Sequence, residues 1–261
     1  MKKQLTRIFI TTYENDYPWL KFLLLSLEKY AKGFSGITIV CDDNKSKIPQ
    51  TTLDIIQTMP LDVQYVTPPS QKPPAMKIRL GYMWQQVIKL QWWKYCEEDI
   101  CVQIDCDCIF KKTFTPDTFK NNEGKWIWHY RPWAIMNNTR WKPSTEQLLR
   151  LHDLKNQGMN GRYFVLTRNC TQKLVEYMTN EPAENWSWDF CVNNNIEQFS
   201  EYCLYGAFIE NIYHKHDYYL KMWKTNREFQ QYSQSLSTKY WSYAGITPEI
   251  QFEYQSYIKN K

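Results

Sequence analysis

Ile100-Cys101-Val102-Gln103-Ile104-Asp105-Cys106-Asp107-Cys108-Ile109-Phe110 is the stretch on which the fold turns. An apolar run, Ile100-Cys101-Val102 and then Ile104, passes directly into two acids one residue apart. Such a run suits a buried strand. Side chains alternate along a strand, so Asp105 and Asp107 are expected to project from one side as the chain leaves the sheet. Two uncompensated carboxylates a few ångströms apart repel by roughly 4 kcal/mol at an effective dielectric near 20. A hard divalent cation with oxygen ligands would remove that penalty, and Mg²⁺ or Mn²⁺ keeps positions open for substrate phosphates. The plainer alternative is a surface turn with two solvated acids, because Asp-x-Asp alone is a common pattern.

Upstream, the chain alternates strands and helices. Arg7 to Thr12 (RIFITT) reads as a first strand. Asn15-Asp16-Tyr17-Pro18 then gives a cap followed by an early proline, a helix start, and Leu20, Leu23, Leu24, Leu27 and Ala31 follow at helical period. Gly33 and Gly36 break that helix. Ile37 to Cys41 is a second strand ending in Asp42-Asp43, Thr52 to Thr58 a short helix, and Val63 to Val66 a third strand. After a proline-rich loop, Met76 to Tyr95 reads as one long helix leading into the acidic strand. This order implies a mostly parallel sheet with right-handed crossovers, in which ligands bind at the carboxyl ends of the strands. Thr11, Thr12, Asp42, Asp43, Asp105 and Asp107 all fall at those ends.

The second half is less regular. Trp126 to Tyr130 and Gly161 to Thr167 read as strands, and Asn169 to Met178 and Ser187 to Asn195 as helices. Ser144 to Lys155 reads as a helix with Ser144 as cap and Gln147 at capping-box spacing. Phe199 to Asn211 is apolar with Glu201 and Glu210 embedded, and an aromatic, charged tail follows His214. No repeat or linker divides the chain, so a single domain is expected. Residues 1–110 would form its regular strand-and-helix half and 111–261 its less regular half and tail.

Bulk properties narrow the classes. The chain has 261 residues, 43% of them hydrophobic, enough for a packed core and too many for a disordered protein. The net charge of +5 permits an anionic partner without requiring one. No stretch has the length or apolarity of a membrane span, and the first residues lack a signal-peptide core. With eight cysteines, several in expected buried strands, the simplest account is free thiols in a cytoplasmic protein. Zinc at Cys106 and Cys108 is disfavoured, because structural zinc needs four close ligands.

Four segments carry a resemblance to known enzymes: IFITTYENDYPWLKFLLLSLEKY, ITIVCDD, IDCDCIF, and GYMWQQVIKL together with FSEYCLYG. The chain resembles GT-A-fold glycosyltransferases, in a bacterial and phage branch with an Asp-x-Asp motif. That resemblance implies an α/β, Rossmann-like, mixed and mostly parallel sheet flanked by helices. It also implies a nucleotide-sugar donor such as a UDP-sugar, with Mn²⁺ or Mg²⁺. Thr11, Thr12 and Tyr13 would line the base and ribose pocket, and Asp42 or Asp43 would accept from them. Asp105 would meet the ribose or the metal through water, and Asp107 would bind the metal directly. His214 and His216, two residues apart, are candidate further ligands; a pair of surface histidines is the alternative. Gln86 and Lys89, at i and i+3, can face the donor together. Lys89 is a phosphate contact on this reading, or otherwise a solvated lysine on an amphipathic helix.

An inverting enzyme also needs a base for the acceptor hydroxyl. Glu201 is the first choice, because its apolar surroundings would raise its pKa. Asp189 is the second, beside Trp186 and Trp188; the alternative for Asp189 is that it caps a helix at its third position. Gly161 and Arg162 would let the donor sugar approach the backbone. The expected acceptor is 5-hydroxymethylcytosine in phage DNA, flipped from the duplex. Three basic-aromatic stretches would supply wedge and phosphate contacts: Arg131-Pro132-Trp133, Arg140-Trp141-Lys142 and Lys221-Met222-Trp223-Lys224. A cell-surface saccharide is the other acceptor. A non-catalytic nucleic-acid-binding module would leave Asp105 and Asp107 without a role. A nucleotidyltransferase would want a glycine-rich loop where TTYENDYP stands.

Overall fold

The structure is a computed structural model that describes residues 5–41, 48–68, 80–135, 140–158, 162–194, 196, 199–213, 217–240 and 246–252. Strands β1 (Thr6–Thr12) and β2 (Gly36–Cys41) are buried along their whole length. This is why they read as continuous apolar runs rather than alternating ones. Helix α1 (Tyr17–Tyr30) joins them, with Pro18 in its first turn, and buries Leu20, Leu23, Leu24 and Leu27. Each of those leucines contributes roughly 1.5–3 kcal/mol by leaving water. Helix α2 (Gln50–Thr58) leads to β3 (Asp62–Val66), and α3 (Leu80–Lys89) leads to β4 (Ile100–Asp105).

The four strands run parallel in the order β3-β2-β1-β4, and β1 lies between β2 and β4 with Thr11 opposite Asp105. The fifth strand of the sheet, β8, comes from the second half of the sequence and is introduced below. The result is a mixed α/β fold with a mostly parallel central sheet flanked by helices.

Beyond β4 a two-residue turn at Cys106-Asp107 starts β5 (Cys108–Phe110). Strand β6 (Trp126–Pro132), helix α4 (Lys142–Leu149) and the short β7 (Asn156–Gln157) follow. Strand β8 (Tyr163–Thr167) returns to the main sheet, antiparallel to β4. Then come α5 (Arg168–Thr179), α6 (Trp188–Asn193), α7 (Glu201–Phe208), β9 (Tyr218–Met222), α8 (Asn226–Leu236) and β10 (Ser237–Lys239). Strand β10 pairs antiparallel with β5, placing Lys239 opposite Cys108. Strands β7, β6 and β9 form a second small sheet.

Two expected helices differ. The helix expected over 76–95 ends at Lys89, whose carbonyl accepts a 2.6 Å hydrogen bond from Gln103 Nε2; a separate 3₁₀ turn, Trp92–Lys94, buries both tryptophans. The helix expected over 144–155 instead runs from Lys142 to Leu149. Ser144 is not its cap but lies in its first turn, donating to the Trp141 carbonyl at 3.2 Å. Pro143 sets the earlier start, since proline fits the first turn, and Arg150 at φ 52° ends the helix.

All eight cysteines are buried free thiols. Cys106 donates to the Asp16 carbonyl and Cys108 to that of Arg162, so the Cys-x-Cys pair is used in packing. Among the described residues, no helix is long and apolar enough to cross a membrane.

Candidate active site at the carboxyl rim of the sheet

A cavity of about 340 Å³ opens where β1 and β4 end. Thr11 and Tyr13 come from the end of β1, Asp105, Cys106 and Asp107 from the β4–β5 turn, and Gln86 and Lys89 from α3. Ser200, Glu201 and Tyr202 enter at the start of α7, and Lys239 from β10. The sequence is built to hold these elements at fixed distances. Ser200 caps α7 by accepting from the Cys203 N–H at 3.4 Å, and Gln86 Oε1 accepts from the Glu201 N–H at 3.2 Å. Gly206, inside α7, would ordinarily cost about 1 kcal/mol relative to alanine. Here a Cβ would lie 2.7 Å from the Gly158 Cα, so only glycine lets α7 sit this close.

Five titratable groups meet at the rim. Lys89 Nζ lies 2.9 Å from Asp105 Oδ1 and 2.9 Å from Glu201 Oε1. It also sits 4.7 Å from the centre of the Tyr202 ring, whose hydroxyl donates to Asp105 Oδ1 at 3.2 Å. The other Asp105 oxygen accepts from Lys239 Nζ, which is 3.7 Å from Asp107 Oδ1. The ammonium of Lys239 therefore sits between the two acids of the motif.

The environments push these groups in different directions. Burial alone would raise Asp105, but the charges of Lys239 and Lys89 outweigh it and hold the carboxyl well below its ordinary range. Burial pushes Glu201 up, and Lys89 offsets this only in part. Burial works against the charged form of Lys89, yet Asp105 and Glu201 keep that lysine protonated, with its pKa raised. Lys239 is held the same way by Asp105 and Asp107. Two acids in one cavity with pKa values driven apart is the pattern that separates a permanent anion from a proton carrier.

Charge counting adds a constraint. Among the described residues lining the cavity, four carboxylates (Asp16, Asp105, Asp107 and Glu201) face three cations (Lys89, Arg140 and Lys239), a formal excess of one negative charge. An anionic ligand would meet no surplus of positive charge from these described side chains.

Of the residues expected at the site, Thr11, Tyr13, Gln86, Lys89, Asp105, Asp107 and Glu201 are brought to this one cavity. Thr12 is fully buried instead, with its hydroxyl 3.4 Å from Cys106 Sγ. Asp189 is exposed in the first turn of α6 and is not among the residues lining the cavity. Trp186, near it in sequence, is buried and donates to the Val87 carbonyl at 3.2 Å. Arg162 turns away to donate to the Ser237 carbonyl. Asp42, Asp43, Gly161, His214 and His216 lie outside the described residues.

Of the basic-aromatic stretches, Arg140 and Trp141 line the cavity, with the guanidinium 4.4 Å from the centre of the indole ring. The other two do not line the cavity, and in the second of them Met222 and Lys224 are exposed. Trp133 is buried, Arg131 lies over the Phe229 ring, and Trp223 donates to His129 Nδ1 at 2.9 Å.

The arrangement places the charged cavity at the strand ends. The chain belongs to DUF6492, a family of unknown function. The family's pattern matches residues 6–251, which takes in every element from β1 to β10. Among curated proteins, none matches the chain. In this DUF6492 chain the residues that sequence reasoning missed are Lys239, Tyr202, Tyr82 and Gln85. The tyrosines stand within quoted motifs, where tyrosine reads as packing. Lys239 carries no local signal at all.

Proposed function

We propose that the protein is a glycosyltransferase of GT-A type that takes a sugar from a nucleotide diphosphate donor and passes it to an acceptor hydroxyl. The observation that carries this reading is the convergence of Asp105, Asp107, Lys89, Lys239 and Glu201 on a single cavity at the carboxyl ends of parallel strands. Ligands of open α/β sheets bind at that rim. Thr11 and Tyr13 would take the base and ribose side, and Lys89 and Lys239 the diphosphate.

The donor set suits a hard divalent cation. Asp105 and Asp107 are carboxylates already arranged around a positive charge, the Lys239 ammonium. Among the described residues, no group of three His, Cys, Asp or Glu is spaced for a metal. Two carboxylates nevertheless suffice for Mg²⁺ or Mn²⁺ when substrate phosphates and water complete the shell. Held there, such a cation would act as a Lewis acid and neutralise the leaving diphosphate. It would also reverse the negative excess of the cavity.

Glu201 is the acid suited to take the acceptor proton, because burial raises its pKa while it still lines the cavity. Lys89 fixes the direction in which its carboxylate points. On the acceptor side, support narrows to Arg140 and Trp141. These favour an acceptor with a flat face and a nearby anion, which a hydroxymethylated pyrimidine in DNA offers and a neutral saccharide offers only in part.

The test is a panel of UDP- and GDP-sugars with Mn²⁺, given hydroxymethylcytosine DNA or oligosaccharide acceptors and read by mass analysis. Sugar transfer is expected with one donor class. Asp107→Asn should lower kcat/KM by at least about 100-fold, the scale of losing a key electrostatic group, while leaving thermal unfolding close to that of the unaltered protein. Neither nucleotide-sugar binding nor turnover anywhere in the panel would refute the assignment. If Glu201→Gln reduced donor affinity and turnover equally, it would be a binding residue and not the base.

A further inference from the structure

Lys239 is held in an unusual way. Its backbone is fixed, because β10 is paired with β5 and the next residue, Tyr240, donates its N–H to the Asp107 carbonyl at 2.8 Å. The Tyr240 ring stacks on Trp19, with centroids 5.6 Å apart. The side chain is a flexible four-carbon stem carrying one charge, and that charge lies between Asp105 and Asp107. It thus fills the position a divalent cation would need, within a cavity whose described lining carries a formal excess of one negative charge.

We infer that Lys239 and the divalent cation compete for the same two carboxylates, and that Lys239 passes to the donor's diphosphate when the cation is bound. The inference rests on the glycosyltransferase reading and deepens it by assigning Lys239 as the residue that makes cation and nucleotide bind as a pair. Without nucleotide, seating a cation requires moving an ammonium off two carboxylates with no bound phosphate to receive it. With a diphosphate present, the displaced ammonium gains a new partner close by. Each ligand therefore favours the other, and linkage requires the effect to be equal in both directions. Lys89 does not share this role. It is held by Asp105 and Glu201 on the α7 side, away from Asp107.

The experiment measures Mn²⁺ binding by electron paramagnetic resonance, with and without a nucleoside diphosphate. The nucleotide is chosen beforehand from UDP, GDP, ADP and CDP by calorimetry in Mn²⁺. In the unaltered protein the nucleotide should tighten Mn²⁺ binding by about tenfold or more, within the usual range of coupling between sites. Lys239→Met should bind Mn²⁺ about tenfold more tightly without nucleotide, and the coupling should shrink to within about twofold of none. Lys239→Gln, which removes the charge but keeps a polar side chain, should lose the coupling as well, and it serves if the methionine variant folds poorly. Unchanged Mn²⁺ affinity in Lys239→Met, or undiminished coupling, overturns the role of Lys239 while leaving the glycosyltransferase reading intact. If no nucleoside diphosphate binds the unaltered protein in Mn²⁺, both fall together.

Discussion

The central sheet carries a buried ion cluster at each end, and the two are built for opposite purposes. At the amino end of β1, Arg7 donates to Thr38 Oγ1 at 2.7 Å, to Asp62 at 2.8 Å, and to Glu98 and the Ile37 carbonyl at 3.2 Å each. One cation is surrounded by acceptors and the space is filled: a Cβ on Gly36 would come 2.8 Å from Arg7 Nη1 and 2.5 Å from the Asp62 carbonyl. At the carboxyl end Asp105 of β4 meets Lys89 of α3, Glu201 of α7 and Lys239 of β10 around an open cavity. Lysines rather than an arginine hold the charges there, so each ammonium can change partners without breaking a fixed fork of bonds. An ion pair therefore says little about function by itself. What distinguishes the two ends is whether the charges close a space or border one.

The largest effect should come from breaking the closed end. Arg7→Met leaves Glu98 without its guanidinium partner, and removing one member of a buried pair typically costs about 3–5 kcal/mol. Urea denaturation should show that loss, while the protein that remains folded binds nucleotide as before. A marked fall in nucleotide affinity per folded molecule would mean that the two ends are not independent, and the contrast drawn above would fail.

A sharper comparison makes the same substitution at both ends. Glu98 is held below its ordinary value: burial would raise it, but Ser35, which donates at 2.5 Å, and Arg7 outweigh burial. A depressed carboxyl adds stability above its unfolded pKa, and that stability is lost as pH falls through the folded value. Glu201 is shifted the other way, by burial. A raised carboxyl favours folding below its unfolded pKa, and this is lost as pH rises through the folded value. At pH 8, Glu98→Gln should therefore destabilise the protein, whereas Glu201→Gln should be neutral or stabilising. At pH 4 the difference between the two variants should shrink. Urea midpoints at the two pH values check this. Destabilisation by Glu201→Gln at pH 8 equal to that by Glu98→Gln would assign Glu201 to the framework.

Much of this contrast could be read in one dimension, for identifiable reasons. Strands β1, β2 and β4 are buried throughout and so announce themselves as unbroken apolar runs. Gln86 and Lys89 were legible because i and i+3 positions share a helix face. Residues 144–147 misled because a capping-box spacing occurs inside a helix whose start was set by Pro143. Asp189 looked promising beside two tryptophans, yet it is exposed on α6, whereas Trp186 is buried and bonded to the Val87 carbonyl. Lys239 could not be found by any local rule. It lies 134 residues from Asp105 and reaches it only because β10 pairs with β5. Long-range strand pairing leaves little trace in a short window of sequence.

The smallest effect belongs to the surface, and it tests whether burial is the variable that matters. Lys155 pairs with Asp153, both side chains more than two-thirds exposed at 75% and 71%. Water and salt screen such a pair, and holding two side chains together offsets most of what attraction remains. Lys155→Ala should leave the urea midpoint unchanged within measurement error at low and high salt alike. A clear shift that salt abolishes would show that solvent-exposed charges stabilise this fold too. The difference between the two buried clusters would then have to be argued from the cavity alone, because burial would no longer separate the ion pairs that matter from those that do not.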